Sequence, residues 1–284
     1  MEFKRYSLHN FSNREDITFN PIEYSRFKFG CKSIARKFGN DLSLGFIKST
    51  YFKEIIETLR QFPEKRVVIM SSPYVHIPTP TFALKDYFLK ILNRVLVDSG
   101  FKPAIETKIS RASSYKEDYG EMNKEQRFNI MKNDVFHVDG GILQNNICLF
   151  LDDIVITGAH EHRIRLMLEK YDLINDQTYH YFLFFAQLTN NNEDPTIENY
   201  LNYAFIQNLK SINKLIREEE FILNTRVTKY ILDSDNKEFQ EFISYQTFTF
   251  RDTLYHMALG NSYHLIPDYQ KNLNYLKKYI NYNN

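Results

Sequence analysis

The sequence predicts an α/β protein: three layers around a largely parallel sheet, with helical extensions at the N-terminal and C-terminal ends. Three observations lead to it. Short apolar, β-branched runs alternate with segments of helical period between residues 66 and 186, the rhythm of strand–helix–strand crossovers that build a sheet covered on both faces. Beyond about residue 195 the apolar spacing becomes wholly helical. The 284 residues, 43% hydrophobic and 25% charged, supply a full core for an ordered chain.

Taken in order, residues 1–60 read as a mixed, mostly helical preface. Within it 32–38 forms a helix that stops at Gly39-Asn40 and sets Lys32 and Arg36 on one face. Residues 66–71 are a buried strand ending at Ser71-Ser72-Pro73, and 81–96 a helix with apolar residues from Phe82 to Leu96. A second strand is expected over 103–109. Residues 110–135 are polar and poorly periodic, a loop of a length that usually serves function. Strands at 147–151 and 179–186 flank a helix at 161–168. Apolar positions from Ile197 to Ile216 recur at helical spacing, followed by helices near 222–232, 238–245, 250–259 and 269–281. The expected organisation is a preface over 1–60, an α/β core over 61–195, and a helical extension over 196–284 packed on that core.

Composition narrows the function. Lys+Arg 36 against Asp+Glu 35 leaves a net charge of +1, giving no global field for nucleic acid or an anionic membrane. The longest apolar runs, such as 181–186, fall far short of the roughly 20 residues that span a bilayer. The N-terminal MEFKRYSLHN lacks a leader's apolar stretch, and two cysteines, Cys31 and Cys148, make neither a disulfide framework nor a cysteine-rich zinc site. A soluble cytoplasmic protein is expected, with a homodimer left open.

Chemistry concentrates in residues 148–160. A hydrophobic strand runs into Asp152-Asp153, and a short loop, Ile156-Thr157-Gly158-Ala159-His160, opens the next helix. Adjacent carboxylates repel and gain nothing from burial, so at a strand's carboxyl end they suit hydroxyls or a cation. The loop offers backbone N–H groups at a helix N-terminus, where an anion is favoured, with the Thr157 hydroxyl as a further donor. Hydroxyls on one side and a phosphate on the other describe a ribose 5-phosphate. As a surface pair at the strand end, or an Mg²⁺-binding pair for phosphate hydrolysis or transfer, the two acids would have plainer roles. His160 and His162 are two apart on a helix and point in different directions, which argues against a metal site.

This segment resembles the signature of type I phosphoribosyltransferases, in which a hydrophobic strand leads into Asp-Asp, two or three residues, and Thr-Thr-Gly-Ala/Gly-Thr. The resemblance implies a phosphoribosyltransferase-type fold. It also implies that Asp152 and Asp153 contact the ribose hydroxyls of 5-phosphoribosyl-1-pyrophosphate (PRPP), and that Ile156, Thr157, Gly158, Ala159 and His160 cradle its 5′-phosphate. The pyrophosphate loop would be Ser71, Ser72 and Pro73. The mobile catalytic loop would be 110–135, supplying Arg111 and Lys116 beside Lys108. Ile156 and His160 stand where hydroxyl residues are usual, which removes two phosphate donors. The implied partners are PRPP and a small-molecule acceptor, with Mg²⁺ held through PRPP and water, with or without Asp152 or Asp153. The implied activity is transfer of a phosphoribosyl group to a nucleobase or related acceptor. The alternative is a catalytically weak relative that senses PRPP or a nucleotide and regulates a partner. On this reading the acid pair lies outside the core, so replacing both aspartates should cost little stability.

Overall fold

The computed structural model describes residues 3–111, 136–190, 196–218 and 220–280. Runs that are apolar on both sides, such as Val67–Ser71 with every residue buried, are stable only in a sheet covered on both faces. Five strands make that sheet: β1 (Lys4–Phe11), β2 (Val67–Ser71), β3 (Ile105–Glu106), β6 (Ile147–Val155) and β7 (Tyr179–Leu188). They lie in the order β1-β7-β6-β2-β3, and every neighbouring pair is parallel. β4 (Ser110–Arg111) and β5 (Phe136–His137) form a separate antiparallel ribbon.

One face is covered by α1 (Pro21–Lys28), α2 (Lys32–Ile47), α3 (Thr50–Gln61) and α4 (Pro80–Asp98), whose apolar residues join the larger core cluster. The other face is covered by α6 (Ala159–Lys170), through Ile164, Met167 and Leu168, with the short α5 (Gly140–Leu143) beside it. This is the three-layer α/β architecture the alternation predicts. Aromatic side chains dominate the larger cluster. Phe38 stacks on Phe185 at 4.1 Å, and Phe19, Tyr24 and Phe27 pack edge-on or tilted around them. Each such ring contributes about 1.5–3 kcal/mol by leaving water.

The C-terminal region is helical as expected: α7 (Ile197–Tyr203), α8 (Leu209–Glu218), α9 (Thr225–Asp233), α10 (Asn236–Ser244), α11 (Phe248–Gly260), a 3₁₀ turn (Tyr263–Leu265) and α12 (Pro267–Lys277). A single hydrophobic cluster runs from Phe11 to Ile280 and draws residues from all three expected segments. No helix among the described residues is long and apolar enough to cross a membrane.

Several elements differ from the sequence expectation. The preface is not only helical, because Lys4–Phe11 is an edge strand of the sheet, paired with β7 from Lys4↔Tyr181 to Phe11↔Leu188. Period-two alternation explains it. Tyr6 and Leu8 lean on the main core, while Arg5 reaches across the other face to Glu161 of α6. The helix expected to stop at Gly39 continues to Ile47. Gly39 is a crossing point, not a terminator: a Cβ there would stand 2.5 Å from the Leu84 carbonyl oxygen of α4. Lys32 and Arg36 face Glu220 at 3.1 and 3.6 Å, an exposed pairing worth less than about 1 kcal/mol. β3 keeps two residues of the expected 103–109. The chain then turns to follow the loop after β2, with Tyr74 N–H donating to the Ile109 carbonyl and Arg111 N–H to that of Tyr74. β6 outruns its expected end at 151, so the acid pair lies inside the strand.

Gly39→Val should lower stability by about 3 kcal/mol, since the new side chain meets backbone that cannot yield cheaply. Thermal unfolding of the variant measures it, and a midpoint at the wild-type temperature would show that α2 and α4 can separate at no cost.

Candidate functional site

Parallel sheets place ligands beyond the carboxyl ends of their strands, and here the ends of β2 and β6 lie side by side. β2 finishes at Ser71, with Ser72 and Pro73 buried just after it. β6 pairs Ser71 with Leu151, which sets Asp152 beside the start of the post-β2 loop. At the far end of β6 the chain turns through Ile156 and Thr157 into α6. Gly158 holds the helix N-cap at φ 73°, in the left-handed region that favours glycine.

Adjacent strand residues point to opposite faces, and this separates the two carboxylates. Asp152 turns toward α6 and the post-β2 loop. Its Oδ1 accepts from Ser72 Oγ at 2.6 Å, Thr81 Oγ1 at 3.2 Å and the Asp153 backbone N–H at 2.9 Å. Its Oδ2 lies 3.2 Å from His160 Nδ1. Burial works to raise its pKa, but the hydrogen bonds and charge of His160, together with Ser72, outweigh burial and hold the carboxyl far below the usual range. Ser71, Ser72, Asp152 and Glu161 line a small cleft against Phe150 and Phe184.

Asp153 turns inward, beneath α1 and α4. Its Oδ2 accepts from Tyr24 Oη and Lys28 Nζ, each at 2.6 Å, and Thr81 Oγ1 stands 3.4 Å from its Oδ1. The Lys28 and Asp153 side chains are only 8% and 6% exposed, so this is a buried ion pair. Burial and the charge of Asp152 push the Asp153 pKa up, against the pull of Lys28 and Tyr24. Burial, with the charges of Asp153 and Glu198, pushes the Tyr24 hydroxyl up as well.

The expected loop residues divide into two kinds. Thr157, Gly158 and His160 stand around the α6 N-terminus, while Ala159 is buried and Ile156 leans on the main core. The hydroxyl missing at Ile156 is thus a packing contact. Arg111, in β4, sits beside Tyr74 of the post-β2 loop and 6.0 Å from the Phe136 ring. Lys116, with the rest of 112–135, lies outside the described residues, whose flanks the β4–β5 ribbon holds together.

Sequence reasoning missed the groups that support the acids. Tyr24 and Lys28 are one helical turn apart on α1, which starts with the Asn20 cap and Pro21. That pairing of cap and proline was a readable helix start. The C-terminal helices brace the same region. Asn261 Oδ1 accepts from the His76 and Ile77 N–H groups of the post-β2 loop, and Asn224 Nδ2 donates to the Lys28 carbonyl. Glu161, nearly buried at the start of α6, binds Arg5 at 2.6 Å and also pairs with Arg165, which fixes that helix to β1.

The sequence family described as "PRTase ComF-like" matches residues 3–276. No curated protein sequence matches the chain. Among solved structures, a hypoxanthine phosphoribosyltransferase from Staphylococcus aureus aligns at 10% identity with a TM-score of 0.31, covering 58% of this chain and 70% of that one. A hypoxanthine-guanine phosphoribosyltransferase from L. donovani aligns at 14% identity with a TM-score of 0.28, covering 56% and 70%.

The inward Asp153 corrects the expectation that both acids can be replaced at little cost. Asp153→Asn strands a buried Lys28 ammonium and should lower stability by about 3–5 kcal/mol. Asp152→Asn, whose donors include two hydroxyls that can reorient, should cost about 1 kcal/mol. Urea unfolding of the two single variants checks the difference, and equal losses would contradict the division between the carboxylates.

Proposed function

The chain belongs to the ComF-like phosphoribosyltransferase family, and on that footing we propose that it binds PRPP at the carboxyl edge of the sheet and transfers the phosphoribosyl group to a nucleobase or related acceptor. One observation carries the reading. Ser72 of the post-β2 loop and His160 of the α6 N-terminus meet on the two oxygens of a single carboxylate, Asp152. The loop proposed to face pyrophosphate, the acid proposed to face ribose and the loop proposed to face the 5′-phosphate are thus neighbours, which supports the reading.

In the reaction the bond from ribose C1 to the pyrophosphate oxygen breaks and a bond from C1 to an acceptor nitrogen forms. Pyrophosphate leaves with the bonding pair, and the acceptor's proton goes to solvent. Asp152 would accept a ribose hydroxyl proton in a hydrogen bond and orient C1. Ser72 would donate to pyrophosphate, and Thr157 and His160 to the 5′-phosphate beside the α6 N-terminus. Arg111 would approach pyrophosphate from the ribbon and offset the charge that grows on it. The carboxylate and hydroxyls present are hard oxygen donors that suit Mg²⁺. Among the described residues no three metal-binding side chains converge, so the ion would be held mainly by PRPP oxygens and water, where it would neutralise pyrophosphate.

A second reading, a PRPP or nucleotide sensor with weak chemistry, is favoured by one contact. His160 already stands at Asp152 Oδ2, so a ligand hydroxyl would have to share that oxygen with it or displace it.

Calorimetric titration should show Mg²⁺-dependent PRPP binding that Asp152→Asn weakens about 10- to 100-fold, the loss of a charged hydrogen bond. Absence of binding at millimolar PRPP would overturn the proposal. Arg111→Ala should lower kcat more than it raises KM, and turnover with no acceptor in a nucleobase screen would leave the sensor reading in place.

A further inference from the structure

Two carboxylates side by side can serve a polyanion site only where hydroxyls, a cation or the withdrawal of one acid offsets their charge. PRPP brings three phosphoryl groups, and two ionised aspartates beside them would repel it. Asp153 does not face that ligand edge. Its Oδ2 is saturated from the opposite side by Lys28 Nζ and Tyr24 Oη, each at 2.6 Å, and Lys28 is buried with it. The carboxylates carry −2 and Lys28 carries +1, so the acid pair presents a net −1.

Lys28 is also fixed in place. Asn224 Nδ2 donates to its backbone carbonyl at 3.1 Å, and Ser25 Oγ of the same helix donates to the Asn202 carbonyl at 2.6 Å. The helix that carries the cation is thus clamped by two elements of the C-terminal region. Around the pair stand Tyr24 and Lys28 from α1, Thr81 from α4, Asp152 from β6 and His160 from α6, with Glu198 of α7 and Arg226 of α9 acting electrostatically on Tyr24.

We infer that Lys28 is a positioning residue for the ribose-phosphate site: it neutralises Asp153 and holds it inward, so that Asp152 alone faces the ligand. This inference rests on the PRPP reading for its ligand, but not for its charge arrangement. It assigns a task to a residue outside the acidic motif and the phosphate loops, and makes the N-terminal helix part of the site.

The test is a double-mutant cycle on Lys28→Met and Asp153→Asn, with Tyr24→Phe as a milder variant that removes one donor and keeps the cation. PRPP affinity is measured by calorimetry well below each variant's unfolding temperature, and stability by urea unfolding. Lys28→Met should weaken PRPP binding about tenfold, because the uncompensated Asp153 charge then acts on the ligand and on Asp152. Adding Asp153→Asn should recover most of that loss, and Tyr24→Phe should weaken binding by less than Lys28→Met. A purely structural lysine would show recovery in stability and no change in affinity, which overturns the inference. So would a double variant that binds PRPP worse than Lys28→Met, because Asp153 would then touch ligand directly. If the wild-type protein binds no PRPP, the proposed function falls, and the unfolding cycle still decides the charge arrangement. Each single change should lower the urea midpoint and the pair should restore it, whereas additive losses would overturn the inference.

Discussion

A carboxylate taken out of water must find a cation, and in this fold that requirement at Asp153 organises the surroundings. Left alone, the buried charge would cost several kcal/mol. Lys28 and Tyr24 meet it from α1, which brings the N-terminal helices over the carboxyl edge of β6. Asn224 and Asn202 in turn hold α1 against the C-terminal helices. A chain that reads as preface, core and extension is bound around one anion, and the continuous hydrophobic cluster from Phe11 to Ile280 follows the same contacts.

Helix α6 is tied down by similar means on the other face. Glu161, in the first turn of α6, is held by Arg5 of β1 and by Arg165 a turn later along its own helix. The acid pair and the loop after it are therefore positioned from opposite sides by residues of the first 30, one through a helix and one through a strand. The post-β2 loop receives its support from Asn261, at the end of α11. Each segment around the candidate site depends on an element distant in sequence. Such a site is stiff where charge is placed, as electrostatic catalysis or selective anion binding requires.

Much of this was legible in the sequence. The apolar runs at 66–71, 147–151 and 179–186 and the helices between them follow from local pattern, as does the acidic motif in β6. β1 carried its signal in the alternation of Tyr6 and Leu8. That signal is weak at a sheet edge, where the charged Lys4 and Arg5, paired with Glu54 and Glu161, interrupt the apolar pattern. Gly39 has the look of a helix stop, and only the approach of Leu84 shows that it marks a crossing. The inward turn of Asp153 could not be read locally. It depends on a lysine 125 positions earlier, and pairwise contacts at such separations leave no periodicity behind.

The edge position of β1 also sets the order in which the molecule can assemble. Its partner β7 begins at Tyr179, whose sheet register places Lys4 against Tyr181. On a ribosome adding about 5–20 residues per second, the first strand has no sheet to join for roughly 10–35 s. For most of that interval Lys28 also lacks its anion, which lies 125 positions later. Phe19 and Phe38 cannot pack on Phe185 until β7 has emerged. High contact order of this kind makes folding slow and leaves an unpaired edge exposed while it proceeds. Newly made chains are therefore at greatest risk of aggregation before the parallel sheet closes on its own first strand.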